Sequence, residues 1–330
     1  MIPPSNPITL PADMRPILLV VVDTEETFAW NRPFSREATS VAAMGNIAKG
    51  QKLFAEFNVR PVYVVDYPIA DQEEGYAQLA QFIADDQGVI GAHLHPWVSP
   101  PFSEQLNSRN SYPGNLSHEQ EEQKLQLLTQ RIEKSFGIKP KIYKAGRYGI
   151  GPNTASILAK LGYEVDLSTA PPFDYRGDGG PDFTTATNQP YWFGEGKKML
   201  EIPCTGSYVG LLNKYGGNLH PLIHKPLLQQ LRIPGIFSRL GLLERIRLTP
   251  EGYDLEDLKR LTNHLIASGT KIFTLSFHSP SLAPGAIDYV QDEAGLQRFL
   301  ATIAGYLDFF MNTIGGEAST PLEIKQRLAL

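Results

Sequence analysis

Short apolar runs alternate along this chain with longer stretches in which apolar positions recur every three or four residues. Residues 17–22 are unbroken Leu and β-branched side chains, the pattern of a strand covered on both faces. Residues 41–57 read as an amphipathic helix, 61–65 as a second strand, 76–84 as a helix and 88–93 as a third strand. After a polar loop, Ser117-His118-Glu119-Gln120 matches a capping box, predicting a helix to about Phe136 with Gly137 as its stop. A strand at 141–144, a helix at 152–161 and a strand at 163–167 follow, with Pro152 suited to a first helical position.

The texture then changes. Residues 170–196 are dense in Pro, Gly, Asp and aromatics, which marks a long loop or insertion. Strands are predicted at 198–202 and 207–212, and residues 221–243 look helical but are broken by Pro226 and Pro234. A helix at 254–267, a strand at 271–277 and a helix at 292–312 complete the chain. Repeated strand–helix alternation predicts an α/β fold with a mostly parallel sheet. Closure into a barrel is expected, because the polar motifs all follow strands and barrel sites are built at strand C-termini. The chain reads as one catalytic barrel domain, 1–330, with an insertion at about 170–250 that covers the barrel mouth and sets specificity.

Composition narrows this picture. With 330 residues and 42% hydrophobic content, the chain can bury a sizeable core. Its 30 basic and 35 acidic residues are scattered, so no nucleic-acid footprint is visible. Cys204 is the single cysteine, which excludes an internal disulfide and suits a reducing compartment. Residues 1–7 lack the basic and apolar regions of a leader, and no apolar run is long enough to span a bilayer. A cytoplasmic protein is the expectation.

Four polar constellations follow strands: Asp23, Glu25 and Glu26; His93 and His95; Lys144-Ala145-Gly146-Arg147-Tyr148-Gly149; and Leu275-Ser276-Phe277-His278-Ser279-Pro280. Residues at i and i+2 of a strand share a face, so His93 and His95 can look into one cavity. Carboxylates and imidazoles at converging strand ends are the raw material of a hydrolytic metal site.

In order and context these motifs resemble the polysaccharide deacetylase family, which carries the NodB homology domain of carbohydrate esterase family 4. The resemblance spans about residue 17 to residue 310. It implies a distorted barrel of about seven strands and a divalent metal, usually Zn2+. The implied activity is hydrolysis of N-acetyl groups on a sugar, polysaccharide or glycan precursor. It implies Asp23 as catalytic base, Glu25 as metal ligand with Glu26 as its alternative, and His93 as metal ligand. The family usually spaces its two histidines at i and i+4; here His95 stands as second ligand and Trp97 occupies the later position, as a substrate-binding residue. Arg147 is implied as the partner of the catalytic Asp, and His278 as general acid. Tyr148 is implied in the pocket or as an oxyanion donor, and Asp166 as a tuning carboxylate near substrate.

Other readings stay open on the residues alone. The His-x-His spacing also fits a catalytically degenerate carbohydrate-binding barrel, and the same chemistry fits an amidohydrolase acting on a small non-sugar amide. Cys204 lacks any cysteine-nucleophile signature and reads as a buried or loop thiol. His220 and His224, at i and i+4, read as a solvated helix face. Phe173, Tyr175, Phe183, Tyr191, Trp192 and Phe193 form a sugar-stacking wall or pack the insertion onto the barrel.

Overall fold

The protein is described from a computed structural model covering residues 7–28 and 32–329; residues 1–6, most of the segment read for a leader, lie outside the described residues. The strands are β1 (Ile17–Thr24), β2 (Val62–Val65), β3 (Val89–Leu94), β4 (Ile142–Ala145), β5 (Val165–Asp166), β6 (Tyr191–Phe193), β7 (Met199–Glu201), β8 (Gly206–Val209), β9 (Glu244–Arg247), β10 (Ile272–His278) and β11 (Glu317–Ala318). Seven of them run parallel in the order β10-β1-β2-β3-β4-β5-β7. β6 adds antiparallel to β7, β11 pairs with the first two residues of β1, and β8 and β9 form a separate hairpin.

The curled sheet is a half-barrel whose last parallel strands, β7 and β10, do not pair. Connecting chain spans the seam between them. Thr274 donates its N–H to Thr205 Oγ1 at 2.8 Å and its hydroxyl to Pro203 O at 3.1 Å. Ser276 N–H donates to Leu248 O at 3.1 Å, and Leu248 N–H to Thr205 O at 2.9 Å.

Two-residue periodicity divides each strand between two cores. Leu18, Val20, Val22, Tyr143, Phe273, Leu275 and Phe277 pack with the helices outside the sheet. Ile17, Leu19, Val21, Ile142, Val165, Leu200 and Ile272 fill the barrel interior. Continuing the alternation, Asp23, Lys144 and His278 fall on the interior face at the C-terminal ends of their strands. Register sets them side by side, with Asp23 opposite His278 and His93 opposite Lys144.

The outer layer comprises α1 (Ile47–Glu56), α2 (Tyr67–Asp71), α3 (Glu73–Ala84), α4 (His118–Phe136), α5 (Thr154–Leu161), α9 (Leu255–Ala267) and α10 (Glu293–Asp308), while α11 (Pro321–Leu328) packs Ile324 against the interior cluster. Between β8 and β9 lie α6 (Gly216–Ile223), α7 (Pro226–Gln230) and α8 (Ile233–Arg239). The capping box of α4 is present, with Gln120 N–H donating to Ser117 Oγ at 3.2 Å, and Gly137 ends the helix at φ 69°. The helix predicted over 41–57 is shorter, because residues 42–46 form a 3-10 turn ahead of α1. Residues 221–243 break into three short helices, two of them starting at or beside Pro226 and Pro234. Strands β6, β9 and β11 were not foreseen; each is four residues or fewer.

Candidate active site

The C-terminal ends of the parallel strands open into a cavity of about 380 Å³, lined by Asp23, Glu25, His93, His95, Tyr112, Lys144, Arg147, Tyr148, Phe173, Tyr175, Arg247, His278 and Tyr289. β1 ends at Thr24, and the chain leaving it places Glu25 over the strand end, its N–H donating to Ser279 Oγ at 3.3 Å. His93 stands on β3, and His95 follows one residue beyond it.

Glu25, His93 and His95 converge. Glu25 Oε2 lies 3.5 Å from His93 Nε2 and 3.4 Å from His95 Nε2. His93 Nδ1 donates to the Lys144 carbonyl at 2.8 Å, and His95 Nδ1 donates to Glu26 Oε2 at 2.9 Å. Each imidazole therefore carries its proton on Nδ1 and turns a lone pair toward a carboxylate oxygen. Two imidazole nitrogens and a carboxylate oxygen, all buried and facing one another, are a ligand set that a cation can bridge. The spacing also fits: bonds of about 2.0–2.1 Å in a tetrahedral centre place ligand atoms roughly 3.3–3.4 Å apart. Burial lowers the His95 pKa despite Glu25, Asp66 and Asp23 nearby, so its imidazole is neutral, as a ligand must be.

Support comes from beneath. Glu26 is fully buried; besides the His95 ring it accepts Trp97 Nε1–H at 2.8 Å, while its backbone N–H donates to Asp66 Oδ2 at 2.8 Å. Burial pushes Glu26 up to about 8, and burial with Glu26 alongside raises Asp66 well above the usual carboxylate range. Glu26 thus orients a ligand, the position in which a carboxylate fixes a histidine tautomer. A second grouping, Glu26, Asp66 and His95, lies in the same layer.

The titratable pair beside this centre has partners of its own. Both oxygens of Asp23 accept from Lys144 Nζ at 2.6 Å. Burial alone would raise the Asp23 carboxyl, but Lys144 first, with His278 beside it, outweighs burial and holds it below its usual range. His278 Nε2 is 3.9 Å from Asp23 Oδ2, and Nδ1 donates to Glu251 Oε2 at 2.7 Å. Burial alone would lower this imidazole; Glu251 first, then Glu25 and Asp23, raise it to about 10. Asp23 is consequently an anion and His278 a cation across the neutral range.

Three expectations are corrected. Arg147 lines the cavity but does not reach Asp23; it pairs with Asp178 and Ser111 and lies 4.1 Å over the Tyr112 ring. Lys144 takes its place, because Lys144 shares the inward parity of Ile142 while Arg147 sits beyond the strand in a left-handed turn, φ 54°. Trp97 does not face the cavity: it is 1% exposed, stacked on the His95 ring at 4.2 Å and packed on Phe28. Asp166 lies on the wrong face of β5, since Val165 and Leu167 point inward; it meets Ser168 and a neighbouring carboxyl, Glu201, on the outer side. Cys204 is buried with its thiol against Leu167 O at 3.4 Å, and burial raises its pKa.

Glu251 and Arg247 were missed by sequence reasoning, as was the part played by Lys144. The inward parity of Ile142 was the available signal for Lys144. Arg247 ends β9 and Glu251 follows it, and that strand is too short to be read from periodicity.

No family model and no curated protein matches the sequence. Solved structures do match in fold. Two are provisionally named polysaccharide deacetylases. The one from Mycobacterium smegmatis has a TM-score of 0.55 at 17% identity, covering 99% of this chain and 94% of that one. The one from Pseudomonas aeruginosa PAO1 has a TM-score of 0.54 at 14% identity, covering 97% and 92%. A third, Puue allantoinase, has a TM-score of 0.55 at 14% identity, covering 96% and 91%. The fold of this chain is therefore the NodB-like half-barrel that these polysaccharide deacetylases and the allantoinase share.

Proposed function

We propose that this protein is a metal-dependent hydrolase of carbon–nitrogen amide bonds, with N-acetylated sugars or glycan precursors as its substrate class. The observation that carries the reading is the convergence of Glu25, His93 and His95 lone pairs beside an Asp23 anion and a His278 cation. Glu25, His93 and His95 would hold a divalent cation, zinc by donor type. When bound, it supplies Lewis acidity to the amide carbonyl and to water. Asp23, ionised through Lys144, takes the proton from the attacking water. His278, charged through Glu251, gives a proton to the departing amine. Two neighbouring groups thus hold opposite protonation states at one pH, which is what amide cleavage requires.

The neighbours named as polysaccharide deacetylases favour the sugar amide; the neighbour named as an allantoinase makes a small cyclic ureide the second substrate class to assay. Elemental analysis of wild type beside His93→Ala is the first test. About one divalent ion per chain, absent from the variant, is the expected result. A panel of N-acetyl sugars and cyclic ureides then reads the activity. Full activity in Asp23→Asn, or a wild type that takes up no ion when supplied with zinc, overturns the proposal.

A further inference from the structure

Arg247 ends β9 and reaches into the cavity from the insertion side. The other cations lining that cavity are neutralised, Lys144 by Asp23, Arg147 by Asp178 and His278 by Glu251. Arg247 has no carboxylate partner among the described residues. Its Nη1 donates to Tyr148 Oη at 3.0 Å and its Nη2 to Tyr175 Oη, while Nε is buried with no partner. The guanidinium lies 4.0 Å over the Phe173 ring and 4.7 Å over Tyr148.

A guanidinium carries five N–H donors, and the two tyrosines take one from each terminal nitrogen. A phenol that accepts from arginine keeps its own proton free to donate. Burial raises the pKa of both Tyr148 and Tyr175, so those protons stay in place. The wall therefore offers one uncompensated positive charge and a set of converging donors framed by aromatic faces.

We propose that Arg247, Tyr148 and Tyr175 form a carboxylate cradle, and that the substrate bears a carboxylate together with its scissile amide. The substrate half rests on the hydrolase reading above; the cradle does not. One cation matches the single charge of a carboxylate. A phosphomonoester carries about −1.5 to −2 and would need a second cation, and the three others here are already paired. The planar fork with flanking donors suits a two-oxygen anion. A cavity of about 380 Å³ suits a small acid.

The test uses three phenyl probes, the isosteric pair benzoate and benzamide and the larger phenyl phosphate, titrated by ligand-observed NMR. Wild type, Arg247→Gln and Tyr175→Phe are compared after thermal melts establish that each is folded. In wild type, benzoate should bind about ten-fold tighter than benzamide. Arg247→Gln should bring the two within about two-fold, and Tyr175→Phe, which keeps the ring, should weaken benzoate about three-fold. Equal binding of benzoate and benzamide overturns the cradle, as does a preference that survives Arg247→Gln, the result if a metal held the carboxylate. Tighter binding of phenyl phosphate overturns the choice of anion. None of these readouts needs turnover, so inactivity toward every amide would remove the hydrolase reading and leave the cradle standing.

Discussion

Two ion pairs, Lys144–Asp23 buried and His278–Glu251 partly buried, set the protonation states at the centre of the cavity. Lys144 holds Asp23 ionised below its usual range. In Lys144→Gln the carboxyl loses that stabilisation and burial dominates, so its pKa rises. The acid limb of the kcat/KM profile should move up by about one unit or more, read between pH 4 and pH 8; an unmoved limb would remove Asp23 from the base role. The variant should also lose about 3–5 kcal/mol of stability in denaturant unfolding, because a buried charge is left unpaired. Glu251 acts in the opposite sense on His278, whose pKa of about 10 lies above that of a free imidazole. Glu251→Gln should therefore bring the alkaline limb of the profile down. The stability this pair contributes is fully present below roughly pH 6.5 and is lost as pH rises through about 10. The difference in Tm between wild type and Glu251→Gln should accordingly be large at pH 6 and shrink toward pH 10.

Elements, more than individual residues, explain what could be read from the sequence. The α4 helix was legible because its capping box and its glycine stop are local chemistry. The parallel strands were legible because burial on both faces leaves an unbroken apolar run, and the polar residues that end those runs are the ones that meet in the cavity. Short strands such as β9 have no periodicity to read, so Arg247 and Glu251 stayed hidden. Asp166 was misplaced for a different reason: proximity to a strand end was used without its parity. Asp166→Asn should thus change kcat/KM by less than about two-fold, where Asp23→Asn should lower it at least about 10²-fold. The turn after β4 carries its own constraint. A Cβ at Gly146 would stand 2.4 Å from Leu94 O and 2.5 Å from His95 Cδ2. Gly146→Ala should displace that ring and weaken zinc affinity by about ten-fold or more, measured by competition with a chromophoric chelator.

At the scale of the molecule, the site ties distant segments together: Glu25 follows β1, His93 stands on β3, Lys144 on β4, Arg247 on β9 and His278 on β10. A cation binding Glu25, His93 and His95 would bind the folded state alone, since only folding brings these strands into register. Chelation should therefore lower Tm, with a loss of about 4 kcal/mol if free ion had stood near a thousand times its Kd; scanning calorimetry with and without chelator reads this directly. No helix among the described residues is long and apolar enough to cross a membrane.

The seam between β7 and β10 divides the insertion into two kinds of chain. Residues 203–205 and 248 act as staves, replacing the ladder the barrel lacks. Removing them would spring the barrel, however the remaining loops were rejoined. Residues 210–243 are different. They leave the hairpin at Val209 and return at Glu244, which are register partners. That doorway is one strand spacing wide, so a short turn could close it. The excursion is an exchangeable cassette: it can be swapped or trimmed by selection or by design, while the staves on either side keep the barrel shut and Arg247 in place.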